Sequence, residues 1–142
     1  MSIEQTTFLG TPSCGWVKIT LGDFSRSASY MTHVATDCLL SMIHALKHET
    51  DFAVSFCTEG NGDFKIISDE YRTYIIEEFD TIKLSVIESI NKNDIAAMLL
   101  QDIKTNIDAW VQFEVLENDS EEAKRHKRYL IKKLNKLEKW MI

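Results

Sequence analysis

Two different periods of hydrophobic residues follow each other along the first half of the chain. Residues 15–21 mix apolar and polar side chains and end in a turn at Gly22, which predicts a strand. Between about residues 31 and 48, apolar side chains recur at three- and four-residue spacing, which predicts an amphipathic helix. The hydroxyl-rich segment 25–30 precedes this helix, and side chains of this kind can cap its first turn.

The middle of the chain carries the pattern of an antiparallel meander. Strands are predicted over 52–58, 64–68 and 71–79. The segment 59–63 joins the first two strands and contains the Asn and Gly residues that tight hairpin turns favour. The segment 82–89 fits both a further strand and one face of a helix, so its assignment stays open.

The last third of the chain carries two helical patterns. Residues 95–110 place their large apolar side chains on one stripe, and Asn93 or Asp94 can cap the helix that this stripe predicts. A last helix over 119–141 has one apolar side. Alternation within 111–115 fits a short strand between the two helices as an alternative.

These elements predict an α+β fold in a single domain over 1–142. An antiparallel sheet of four to five strands is expected to pack against the helix at 31–48 and two C-terminal helices, because each amphipathic element must bury its apolar side. The three cysteines, Cys14, Cys38 and Cys57, are expected to be buried free thiols in a reducing cytosol. The chain shows no signal peptide and no bilayer-spanning stretch, so we expect a cytoplasmic protein.

Charge divides the chain into an acidic body and a basic C-terminal helix. Positions 1–120 hold 19 acidic and 8 basic residues, positions 121–142 hold 3 and 8, and the net charge is -6. The basic helix is expected to pack on the acidic body and pair with it. Because the acidic body repels polyanions, neither a nucleic acid nor a membrane is expected as a partner.

No catalytic motif and no metal site emerge from the sequence. The first helix carries one polar stripe, formed by His33, Asp37, Ser41, His44 and His48. His33 and His44 are eleven residues apart, or about 16 Å along a helix, which is too far to share a metal or a proton. Only His44 and His48 are close enough to meet, and two histidines do not make a metal site without further ligands. We therefore expect a protein that is not an enzyme and that has no cofactor.

Acidic residues are dense between positions 49 and 80. The spacing of these acids brings no pair of carboxylates together on a substrate, so acid–base catalysis is not expected. Two interpretations of the acidic segment remain: an ordinary solvated rim, and a docking surface for a basic protein. Aromatic residues beside charge are frequent energetic centres of such contacts. The predicted partner-binding residues are Glu59, Asp63, Asp69, Glu70, Tyr71, Tyr74, Glu77, Glu78 and Asp80.

Several short motifs within residues 15–68 resemble a group of small bacterial proteins. They are Gly15-Trp16-Val17-Lys18-Ile19, Ser27-Ala28-Ser29-Tyr30, Asp37 with Leu39-Leu40, Phe56, and Glu59-Gly60. Members of such groups often accompany polymorphic or contact-dependent toxin systems as immunity proteins. The resemblance implies a protein that binds a cognate toxin domain in the cytosol and neutralises it, and an acidic inhibitor suits a basic toxin domain.

A second function class remains open beside this resemblance. The chain also fits a small cytosolic homo-oligomeric or accessory protein without catalytic activity, with a homodimer held by the C-terminal helix as its simplest form.

Overall fold

The computed structural model describes residues 5–60, 62–115 and 120–141 and shows an α+β fold, as the sequence predicts. Its strands and helices follow each other as β1 (Trp16–Leu21), β2 (Phe24–Ser29), α1 (Val34–His48), β3 (Phe52–Cys57), β4 (Asp63–Ser68), β5 (Thr73–Glu78), β6 (Ile82–Ile87), α2 (Lys92–Thr105), α3 (Ile107–Glu114) and α4 (Ser120–Trp140).

Strands β1 and β2 form a separate two-stranded antiparallel hairpin. The register runs from Trp16 opposite Ser29 to Leu21 opposite Phe24, and Gly22 takes the positive φ that the tight turn needs. The expectation that segment 25–30 caps a helix is therefore wrong. Its backbone groups pair with β1 instead, because the turn folds the chain directly back.

The other four strands form an antiparallel sheet in the order β3-β4-β5-β6. The predicted strands at 52–58, 64–68 and 71–79 are confirmed with bounds that differ by one or two residues, and most of the open segment at 82–89 is strand β6. Strand β6 pairs with β5 on one side only, so it is an edge of the sheet.

One face of this sheet, here called the inner face, carries the core. Its large buried side chains are Phe52, Val54, Phe56, Phe64, Ile66 and Ile75. Helix α1 packs against β3 on this face. The hairpin covers another part, since Phe24 meets Phe64 edge-on with ring centroids 5.3 Å apart.

The segment after the sheet forms two helices where the sequence predicts one. Asn91, not Asn93 or Asp94, caps α2, and its side chain and that of Asp94 form a capping box. The helix ends at Thr105, and α3 begins at Ile107. The alternative of a strand over 111–115 is wrong, because α3 continues to Glu114 and packs against α4.

Helix α4 is confirmed, although position 119 lies outside the described residues. It buries Leu130, Leu134 and Leu137 and contacts the other three helices, so that α1 lies between β3 and α4. Among the described residues, three side-chain contacts link it to the body: Lys127 with Asp108 at 2.9 Å, Glu138 with Lys104 at 4.0 Å, and His126 Nε2 with the Glu114 carboxylate at 2.7 Å.

The N-terminal segment is tied to α2 by a single carboxylate. One oxygen of Asp102 accepts the backbone N–H groups of Phe8 and Leu9, both at 2.8 Å. Desolvation raises the pKa of Asp102 above its usual value, and these two hydrogen bonds oppose the rise. Asp102 therefore has a structural role in joining two distant segments.

The cysteines are free, but their environments differ. Cys14 is exposed, Cys57 is half-buried and only Cys38 is fully buried, so the expectation of three buried thiols is wrong. Burial raises the pKa of the Cys38 thiol well above its usual value, and the negative charges of Asp37 and Glu114 add to the effect. Cys38 is therefore a protonated core residue at neutral pH.

Candidate protein-binding surface

The second face of the four-stranded sheet points away from the helices and is largely apolar. Strand register fixes its rows, because residues paired across strands share a face. One row joins Ile67, Tyr74 and Val86, and the next joins Ile76 and Leu84. With Ile82 these residues form what we call the outer apolar patch.

The outer apolar patch is open to solvent along strand β6. Ile82, Leu84 and Val86 expose 76%, 62% and 43% of their surfaces. Tyr74 and Ile76 are half-buried beside them. Scattered exposed apolar residues are common, but a contiguous patch of this kind is typical of a site that binds another protein.

Carboxylates border the outer apolar patch at both ends of the strands. At one end the exposed acids are Glu59, Asp63, Glu78 and Asp80. At the other end, Glu70 follows β4 and Glu88 follows β6. Lys65 lies between Ser55 and Ile76 in the middle of the face, and Arg72 pairs with Glu88 at 3.3 Å. The surface thus combines an apolar centre with mainly negative ends.

The structure brings eight of the nine predicted partner-binding residues to this face or its two ends. Asp63, Tyr74 and Glu78 lie on the outer face itself by register. The turns between strands carry the remaining exposed or half-exposed members, which are Glu59, Asp69, Glu70, Tyr71 and Asp80. Tyr71 exposes 72% of its surface, so it is available to a partner.

Glu77 is the ninth predicted residue, and it lies on the inner face. It is buried, and its carboxylate accepts a hydrogen bond from Arg26 Nη2 at 2.9 Å. The Arg26 guanidinium also lies over the Phe79 ring, 4.2 Å from its centroid. Glu77 therefore joins the hairpin to the sheet and offers no surface to a partner.

Asp69 has a structural role within its turn. Its carboxylate accepts the backbone N–H groups of Tyr71 at 2.7 Å and Arg72 at 2.9 Å. These hydrogen bonds, led by that from Arg72, lower the pKa of Asp69. The backbone carbonyl of Asp69 accepts a hydrogen bond from the backbone N–H of Lys92, which fixes the start of α2. Asp69 keeps Tyr71 in place at the end of the sheet.

Sequence reasoning missed the apolar members of this surface. Ile67, Ile76, Ile82, Leu84 and Val86 were not among the predicted binding residues. A usable signal is present in β4 and β5, where both members of the pairs Ile66–Ile67 and Ile75–Ile76 are apolar. Neighbouring residues of a strand point to opposite faces, so a strand with two successive apolar residues is apolar on both faces. Where only one face is covered by helices, the second apolar face is exposed.

The polar stripe of α1 brings only two of its histidines into contact. The rings of His44 and His48 meet with centroids 4.4 Å apart, but no group of three His, Cys, Asp or Glu residues that could hold a metal ion is found among the described residues. Partial burial raises the pKa of Asp37, Glu114 adds to the rise and His33 opposes it. The Glu114 carboxylate also accepts hydrogen bonds from the backbone N–H and the hydroxyl of Thr36, the residue before Asp37.

Comparisons with protein-family models, curated proteins and solved structures found no match to this chain. Among the described residues, no helix combines the length and apolar content needed to cross a bilayer.

Proposed function

We propose that this protein is a non-catalytic binding protein that takes up a basic protein partner on its outer apolar patch and acidic ends. The specific partner we propose is a bacterial toxin domain, which the protein neutralises in the cytosol as an immunity protein. The resemblance within residues 15–68 supports the toxin domain as partner. The exposed, outward-facing side chains of Ile82, Leu84 and Val86 on β6 support the location of the contact.

Exposed apolar side chains in an acidic frame match the general construction of a protein interface. Desolvated apolar and aromatic residues at the centre supply most of the binding energy, and charges at the rim increase the association rate and the specificity. Leu84 and Ile76 lie in the central row, and Tyr71 and Tyr74 are aromatic anchors near one end.

A homo-oligomer is the second candidate function, and the position of β6 favours it. The backbone of an edge strand offers unpaired N–H and C=O groups to another strand. A second copy could add its own β6 there and continue the sheet. This alternative competes with the basic partner for the same part of the molecule.

Replacing Leu84 by lysine is expected to weaken the complex with the toxin domain about 100-fold. The change removes a central apolar contact and places a cation against a basic partner. If a large exported protein is encoded directly upstream, calorimetry between this chain and the C-terminal domain of that protein measures the effect. Ile131→Lys is the matched control, since Ile131 is an exposed apolar residue on α4.

Three results decide between the two candidates. Weaker binding by Leu84→Lys alone supports the proposal, whereas equal binding by wild type and both variants places the contact elsewhere. If no neighbouring toxin domain binds, and light scattering finds a dimer that Leu84→Lys dissociates, the homo-oligomer is the correct function.

Reversing the exposed acids is expected to slow association of the same complex by about 10- to 100-fold at low salt, because rim charges steer the encounter. The variant changes Asp63, Glu70, Glu78 and Asp80 to lysine and leaves the buried Glu77 intact. Stopped-flow kinetics at two ionic strengths measures the effect, which should shrink as salt screens the charges. An unchanged association rate would show that these acids face no basic surface.

A further inference from the structure

Helix α4 carries a second charged surface on the side that faces away from the body. Its cations Arg125, Arg128, Lys132, Lys136 and Lys139 repeat at three- and four-residue spacing. On a helix these five positions fall within an arc of about 80° and extend about 21 Å along the axis. We call them the cationic stripe. The buried residues Leu130, Leu134 and Leu137 lie on the opposite side of the helix.

The cationic stripe has exposed apolar neighbours on both sides. Ile131 and Trp140 expose 42% and 41% of their surfaces. Both border the same shallow concavity as Arg128, Lys132 and Lys136. Clustered lysines and arginines are attracted to the negative surface of an anionic bilayer, and tryptophan is enriched at the bilayer interface.

The expected pairing of this helix with the acidic body does not occupy the stripe. The described contacts of this kind between α4 and the body use Lys127, Glu138 and His126, none of which belongs to the stripe. Within the described part of the chain, Lys132, Lys136 and Lys139 have no carboxylate partner. These charges are available to an external anion.

The acids of the outer sheet face are too distant to cancel the stripe. Helix α1 lies between β3 and α4, so two helix diameters, or about 20 Å, separate the sheet from the outer side of α4. That distance exceeds twice the Debye length of about 8 Å at physiological ionic strength. Of the closer acids, Glu138 and Asp108 pair with Lys104 and Lys127, so a flat anionic surface in contact with the stripe meets more cations than acids, in spite of the net charge of -6.

We propose that the cationic stripe, with Ile131 and Trp140, docks the protein peripherally on an anionic lipid surface. The apolar pair favours lipid over nucleic acid. Trp140 gains by entering the bilayer interface, and Ile131 gains by leaving water, whereas an isoleucine offers no stacking or hydrogen bonding to a nucleic acid. In this orientation the outer apolar patch points away from the lipid and stays accessible to a protein partner.

Vesicle co-sedimentation of the full chain tests this docking. We expect binding to vesicles of mixed phosphatidylcholine and phosphatidylserine at low salt, and none to pure phosphatidylcholine. Each Lys or Arg near an anionic surface contributes about fivefold in affinity, so Arg128→Gln/Lys132→Gln/Lys136→Gln should bind about 100-fold more weakly. The control Lys18→Gln/Lys47→Gln/Lys83→Gln has the same net charge and should bind like wild type, because these exposed lysines lie elsewhere.

Tryptophan quenching by brominated lipids provides a second, independent readout. Trp16 on the hairpin and Trp140 on α4 each expose 41% of their surfaces, while Trp110 is fully buried. Quenching should disappear in Trp140→Phe and persist in Trp16→Phe. The proposal is overturned if the serine-containing vesicles do not bind, if the two triple variants bind equally, or if a single-stranded RNA oligonucleotide binds more tightly than the vesicles at the same salt.

Discussion

Replacing Gly62 by alanine is expected to destabilise the protein by about 2–6 kcal/mol. Gly62 has a φ of +100°, a conformation that costs a residue with a Cβ about 1–3 kcal/mol. A Cβ here would also overlap the backbone carbonyl oxygen of Glu78 and the ring of Phe79. Because backbone cannot move aside as a side-chain tip can, the overlap adds a further cost of about 1–3 kcal/mol.

Gly60→Ala is the matched control for this prediction. Gly60 lies in the same turn with a φ of +98°, but a Cβ there would meet no atom within 4 Å. This variant should lose only the free energy that the positive φ costs a residue with a Cβ, about 1–3 kcal/mol. Urea denaturation of both variants measures the difference in free energy of unfolding, and equal losses would show that the sheet end tolerates a Cβ at position 62.

The overlap at Gly62 also reaches the hairpin. The Phe79 ring that a Cβ would displace lies under the Arg26 guanidinium, and Arg26 holds the buried Glu77. A shift of Phe79 therefore weakens the attachment of β2 to β5. This link between a turn and a distant hairpin makes Gly62 more sensitive than its exposed surroundings indicate.

The strands of the sheet were predictable because most of them bury one side. In β3, Phe52, Val54 and Phe56 are buried and the residues between them are not, which gives the period of two directly. Strand β6 has no buried face: Ile82, Leu84 and Val86 point outward. Its apolar alternation therefore carried no information about the core, and the choice between strand and helix stayed open.

The break between α2 and α3 and the existence of β2 were not predictable from local pattern. Asn106 interrupts a continuous apolar stripe that extends from Ile95 to Trp110, and no Gly or Pro marks the position. Strand β2 is rich in serine and has a weak apolar period, so its pairing with β1 outweighs local preference.

The candidate surface was only half predictable for the same reason. Exposed acids in turns are visible in a sequence, because turn residues and charges are both local features. Whether Ile76 and Leu84 face the core or solvent depends on which side of the sheet the helices cover. That is decided by packing of segments far apart in the chain.

The cap of α1 is the clearest case of a long-range contact that replaces a local signal. His33 occupies the N-cap position but makes no side-chain cap. The carboxylate of Glu114, 78 residues away, accepts the Thr36 N–H at 3.0 Å and the Thr36 hydroxyl at 2.5 Å. A negative charge at this position also suits the positive end of the helix dipole.

Replacing Glu114 by alanine is expected to destabilise the protein by about 3–5 kcal/mol. The Glu114 side chain is fully buried and also meets His126 Nε2 at 2.7 Å, so one carboxylate joins α1, α3 and α4. Its loss leaves the Thr36 N–H and hydroxyl without their partner in a part-buried site. Urea denaturation measures the effect.

Asp108→Ala is the control, because Asp108 also lies on α3 and pairs with a cation of α4, Lys127, but at an exposed site. Exposed ion pairs contribute about 0–1 kcal/mol, so this variant should lose little stability. Glu114→Gln keeps an acceptor oxygen for the Thr36 N–H and should fall between the two. If Glu114→Ala costs no more than Asp108→Ala, the start of α1 does not depend on the distant carboxylate and water replaces it as the cap.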